Sequence, residues 1–288
     1  MKAWLAIPLA LGACGPGDER VGVGYAPQAV ESAPPQVDAA VSDAGAAEDT
    51  GAAEPDPLGG VWAMRLEVVS LVEIPFVGQS RDARIAYGRT VFGVRPDGGA
   101  RFARTETCAV VVESSQMAVE TVIPEAFARG LGAPERPFTY DTTSGRFTAE
   151  RFVEVRGARL DDLEGDALPT APDDPRVFDQ DDDGQPGMTV RISGLIDGEV
   201  YVVQRGIDAF EGERTAGTNT EPTRLEGRVV WSSEQAVLGA DTEVLAMSLP
   251  TSAVEDPAAH SVVFTRLGDT ADCTAALAAF ETENAGAP

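Results

Sequence analysis

Asp179, Asp181 and Asp183 stand at alternate positions and are followed at once by Gly184. In a tight loop alternate side chains turn to one side, and converging carboxylates suit a hard cation, which takes six to eight oxygen ligands at about 2.3–2.6 Å. Gly184 allows the sharp turn such a loop needs. Between 161 and 183 lie ten carboxylates and one basic residue, Arg176. After the triad come Gln185-Pro186-Gly187 and then, from Met188, an alternating apolar run. A solvated acidic surface loop is the competing reading, because most runs of like charge are no more than that. The ordered punctuation favours a cation in a structural role, pinning a long loop against the rim of the domain.

The pattern D-x-D-x-D-G resembles the start of the EF-hand or dockerin-type calcium loop. The resemblance implies Ca2+ as a structural cofactor, held by Asp179, Asp181 and Asp183 and by the carbonyl of Gln185. It stops there: where that family places a bidentate Glu, five residues after Gln185, this chain has Val190 on an apolar strand face. The missing carboxylate must come from elsewhere, and Asp173, Asp174 and Asp182 are nearest. No helix flanks the loop, so this is a calcium loop of a different kind.

Other chemistry is poorly supplied. His260 is the single histidine, and no G-x-S-x-G elbow is present. Gly22-Val23-Gly24 lacks the preceding strand and third glycine of a dinucleotide site. Trp62 and Trp231 lie on apolar faces and read as core rather than as sugar-stacking rings. With 47 Asp and Glu against 22 Lys and Arg, the net charge is −25, which excludes nucleic acid as a partner and a polybasic contact with anionic lipid.

The N-terminus gives an address. Met1-Lys2 precedes a nine-residue apolar run, Ala3 to Leu11, far shorter than the roughly 20 residues a spanning helix needs. This is the layout of a secretory signal. Leu11-Gly12-Ala13-Cys14 resembles the bacterial lipoprotein lipobox, which implies cleavage before Cys14, its lipidation, and a membrane partner through the lipid. Residues 1–13 are then the signal peptide. Residues 14–57 are a disordered Ala/Gly/Pro tether; from 15 to 57 it carries nine acidic residues and one Arg, too little apolar surface to offset its ordering entropy. Residues 58–288 form one domain. The remaining cysteines, Cys108 and Cys273, make an even pair in an exported chain and read as a disulfide.

Positioning these residues falls to a sheet. Trp62, Met64, Leu66 and Val68 alternate with polar or small residues, as do Met188, Val190 and Ile192, and Leu225, Val229 and Trp231 share a face. Further strands are predicted near 85–95, 100–113, 117–123, 136–141, 146–156, 199–210, 243–249 and 261–267. Two short helices are expected, one with Pro124 at its first position and one over 270–281. The fold class is all-β: an antiparallel barrel-like domain or a sandwich.

Two resemblances cover more of the chain. The lipobox, acidic spacer, Ile123-Pro124-Glu125-Ala126-Phe127 and the stretch Asp174 to Val190 together look like uncharacterised lipoproteins of myxobacterial type, which implies a cell-envelope location. Gly60-Val61-Trp62, with a late Arg266, resembles lipocalin and calycin barrels, which implies an arginine packed across the tryptophan. The expectation is a membrane-anchored, non-enzymatic envelope lipoprotein presenting a calcium-stabilised β domain to a protein partner or a small apolar ligand. An envelope hydrolase using carboxylates in a cleft, and a purely structural component, are the alternatives; a filled interior would favour the last.

Overall fold

A computed structural model describes residues 56–74, 78–95, 100–115, 119–194 and 196–284. The signal segment, Cys14 and the tether to residue 55 lie outside the described residues. The elements are β1 (Val61–Ile74), β2 (Gly78–Val94), β3 (Arg101–Ser114), β4 (Val119–Val122), α1 (Glu125–Gly130), β5 (Glu135–Asp141), β6 (Arg146–Arg156), β7 (Met188–Gly194), β8 (Gly198–Gly217), β9 (Pro222–Ala240), β10 (Thr251–Ala253), β11 (Ser261–Arg266) and α2 (Cys273–Asn284). Among the described residues no helix is long and apolar enough to cross a membrane.

The all-β expectation holds. Pairing runs β8-β6-β5-β3-β2-β1-β11-β9, and β9 pairs back onto β8, closing a ring of eight antiparallel strands. The edge of β8 that carries β6 over Gln204–Glu213 carries β7 over Gly198–Val202, and β4 extends that small sheet beyond β7. Closure matters energetically, because a closed sheet leaves no unpaired edge along the bonded strands.

The inner face follows from register. Trp62, Met64, Leu66 and Val68 on β1 stand opposite Thr90, Gly88, Ala86 and Arg84 on β2. On the other side, Trp62, Met64 and Leu66 face Arg266, Phe264 and Val262 on β11. Trp62, Phe92, Phe138, Phe147, Phe210 and Phe264 fill this end of the ring, with neighbouring centroids 4.5–6.2 Å apart in edge, tilted and stacked arrangements. Arg266 caps the plug. Its guanidinium lies over the Trp62 ring, 4.7 Å from the centroid, and donates to the carbonyls of Pro222 and Gly59, each at 2.8 Å, and to that of Pro57. Trp62 Nε1 donates to Leu58 O at 3.0 Å. The arginine-over-tryptophan contact expected from the sequence is therefore present. Asp56 accepts two hydrogen bonds from Arg101 Nη1, at 2.7 and 2.8 Å.

Two details differ from expectation. The strand predicted at 243–249 is a turn-rich segment, and β10 follows it at 251–253, paired with β1. Only Leu245 packs onto a core there, while Val244 and Met247 are exposed, so no buried face fixes a strand register. Helix α1 begins at Glu125, with Pro124 just outside it as the N-cap.

Helix α2 covers the outer face of the ring, burying Ala276 and Phe280 against Ala63, Tyr87 and Val263. Asp272 Oδ1 accepts the Ala275 N–H at 3.0 Å, capping the helix N-terminus. Cys108 on β3 and Cys273 at the start of α2 form a disulfide, Cα–Cα 5.3 Å, across a sequence separation of 165. So long a loop makes the constraint on the unfolded chain large. Replacing both cysteines by serine is expected to cost about 2–5 kcal/mol in urea unfolding of the oxidised protein; a loss under about 1 kcal/mol would show that α2 holds without the bond.

Candidate metal centre

The acidic loop is built from the main chain outward. Gln180 N–H donates to Gly187 O at 3.0 Å and Gly187 N–H to Phe178 O at 3.1 Å, closing the loop at its base. Gly187 has φ +86°, and a Cβ there would sit 2.4 Å from Val202 O on β8, so only glycine lets the chain enter β7 so close to its neighbour. Inside the loop, Asp179 Oδ1 accepts the Asp183 N–H at 3.2 Å and its Oδ2 the Gly184 N–H at 2.8 Å. Asp183 Oδ1 accepts the Gln185 N–H at 2.8 Å. These turns aim the three alternate side chains together.

Asp179, Asp181 and Asp183 converge as the sequence spacing predicts: one carboxylate oxygen from each lies within 4.8 Å of the others. Two oxygens on opposite sides of one hard cation are about 4.6–5.2 Å apart, so a single ion can reach all three. Without a cation, three carboxylates this close repel by about 3 kcal/mol per pair at an effective dielectric of 20, less where water screens Asp183.

Asp181 is the unusual member. It is 8% exposed, whereas Asp183 is exposed. Its Oδ2 accepts the Thr189 N–H at 2.9 Å, tying it to β7. Its Oδ1 is buried with no hydrogen-bond partner. Burial pushes the Asp181 carboxyl above the ordinary carboxylate range; the Thr189 N–H opposes this, and Asp183 and Asp179 add to it. A buried polar oxygen without a partner costs on the order of 1–3 kcal/mol, more when charged. A divalent cation bound through Oδ1 would supply the missing partner.

The further candidates fall outside the cluster. Asp174 is taken by Arg176, whose Nε and N–H donate to Oδ1 at 3.0 and 2.9 Å and whose Nη2 donates to Oδ2 at 2.7 Å; this holds the Asp174 carboxyl down at about 2. Asp173 is exposed. Asp182 is exposed and takes a left-handed backbone, φ +56°, as an intervening residue on the outside of the turn would. Gln185 stands next to the cluster through its N–H. Val190 is buried in the apolar cluster of β7, β8 and Phe127, and contributes no oxygen from its side chain.

Gln180, between two of the aspartates, clamps the loop. Its Oε1 accepts the Gly157 N–H at 2.6 Å and its Nε2 donates to Gly130 O at the end of α1 at 2.8 Å. Its position between two predicted ligands was the available signal, because a residue there must face away from the ion. His260 is no catalytic base here. It is buried, its Nδ1 lies 3.1 Å from Val69 N and 3.2 Å from Trp231 Nε1, and its Nε2 lies 2.8 Å from Val254 O. Both neighbours of Nδ1 are donors, so Nδ1 accepts and Nε2 carries the proton.

The chain matches no family model, no curated protein and no solved structure. The site therefore rests on its own geometry. Asp181→Asn keeps an acceptor for the Thr189 N–H and removes one negative charge from the three-carboxylate cluster. In chelator-treated protein this variant is expected to unfold at higher urea, by about 1 kcal/mol; a loss of stability of similar size would mean that the Asp181 charge is already compensated without a cation.

Proposed function

We propose that this chain is a lipid-anchored cell-envelope protein that carries a calcium-clamped, non-enzymatic β domain on an acidic tether and presents it to a protein partner. Asp181 carries the reading: a buried carboxylate with one unbonded oxygen, in a cluster with two other aspartates. The donor set is all oxygen, with no imidazole or thiol, which favours calcium over zinc or copper. Three carboxylates clustered on one short loop, with water completing the shell, suit the flexible coordination of calcium better than the strict octahedron of magnesium.

The lipid anchor rests on Leu11-Gly12-Ala13-Cys14 and the short apolar run before it. Lipid on Cys14 and an extended acidic tether would hold the domain away from the bilayer, and self-repulsion in the tether would add reach. A role in docking or structure is favoured over an internal apolar ligand, because the aromatic plug occupies the apolar part of the ring.

Two outcomes are expected. For a dissociation constant on the order of 10⁻⁴ M, typical of extracellular calcium modules, 10 mM calcium should stabilise the chelator-treated protein by about 2.7 kcal/mol, or about 5–10 °C in melting temperature. Magnesium should give much less, and Asp181→Asn should lose the effect; melting that ignores calcium would remove the clamp. Separately, Cys14→Ser should move the protein from the membrane to the soluble fraction, and a variant that stays with the membrane would remove the anchor.

A further inference from the structure

Four buried side-chain polar atoms among the described residues have no hydrogen-bond partner: Asp181 Oδ1, Thr189 Oγ1 and the Nε atoms of Arg136 and Arg205. Both of the oxygens belong to residues that are bonded to each other. The Thr189 N–H donates to Asp181 Oδ2 at 2.9 Å. The orphan hydroxyl therefore lies three bonds from that N–H, and the orphan Oδ1 lies on the carboxylate that receives it. Neither oxygen satisfies the other. Asp181 is 8% exposed and Thr189 is 3% exposed, so bulk water does not replace the missing partners.

Strand geometry turns the hydroxyl away from the apolar core. Met188 and Val190 point into the cluster formed with Phe127, Val200 and Val202. Thr189 stands between them and takes the opposite face of β7. Directly across the ladder it faces Tyr201, which packs against the same cluster as Val177, two residues before Asp179. The acidic loop thus starts beside the face that carries Thr189. Packing alone does not call for a hydroxyl here, because valine has nearly the same shape and a buried hydroxyl without a partner is destabilising.

The loop lacks ligands in a matching way. Asp174 is spent on Arg176, and Asp173 and Asp182 are exposed. Three carboxylate oxygens fall short of the roughly six to eight that calcium takes, and a neutral hydroxyl adds one without adding to the repulsion among the carboxylates.

We propose that Thr189 Oγ1 is a ligand of the cation held by Asp179, Asp181 and Asp183, so that the ion ties the acidic loop to strand β7. The inference rests on the calcium reading of the aspartate cluster. One ion beside Asp181 gives both orphan oxygens a partner at once. It also joins loop and sheet by a metal bond in addition to the Thr189 N–H.

The test is calorimetric titration of the full-length, chelator-treated protein with calcium chloride at pH 7. Saturable binding is expected in the wild type and is expected to weaken about tenfold or more in Thr189→Val, which keeps the shape and removes the hydroxyl. Thr189→Ser, which keeps the hydroxyl and loses the methyl, should bind close to wild type. In chelator, Thr189→Val should withstand urea at least as well as wild type, since it loses only an unpartnered group. If Thr189→Val does not fold, Thr189→Ala against Thr189→Ser isolates the same hydroxyl, and the alanine variant should bind more weakly. Three results overturn the ligand while sparing the calcium reading: binding unchanged when the hydroxyl is removed, binding lost equally in the serine variant, or a Thr189→Val protein less stable than wild type in chelator. No saturable calcium binding by the wild type overturns both.

Discussion

Folding takes the Asp181 carboxylate out of water and returns one hydrogen bond to it, from the Thr189 N–H. Much of the loop serves to hold that group in place. Gly187 brings the chain against Val202, Gln180 ties the loop to Gly157 and to the end of α1, and the turns through Asp183 and Gly184 bring Asp179 and Asp183 alongside. Each bond is unremarkable in itself. Together they hold one buried carboxylate oxygen in a position with no hydrogen-bond partner.

Charge at the aromatic end of the ring is satisfied by contrast. Arg266 is half-buried and engaged, with three carbonyls and the face of Trp62 around it. It seals the aromatic end by pinning the start of the domain to β9 and β11. At the aromatic end the cation is thus part of the packing, unlike the unbonded Asp181 oxygen of the loop.

The fold was largely legible because period-2 alternation marks a half-buried strand directly. Trp62 to Val68 and Met188 to Ile192 are such cases. Ring closure was not legible: it depends on strands far apart in sequence meeting, as where Trp62 on β1 pairs with Arg266 on β11, and local pattern carries no such information. The segment 243–249 misled because its apolar residues suggest a strand, although only Leu245 finds a core. At the candidate site the spacing of Asp179, Asp181 and Asp183 was enough to bring the ligands together, because the loop is local. The sequence could not rank them. That Asp181 is buried and Asp183 exposed depends on contact with β7, and that Asp174 is spent on Arg176 depends on a two-residue turn.

The central claim is that a calcium ion completes the Asp181 environment. A crystal structure of the protein grown with calcium tests it most directly. The account predicts an ion within about 2.3–2.6 Å of an oxygen from each of Asp179, Asp181 and Asp183, with Asp181 Oδ1 among its ligands. A structure at millimolar calcium in which the three carboxylates keep their places and Asp181 Oδ1 meets only water, or nothing, would contradict it.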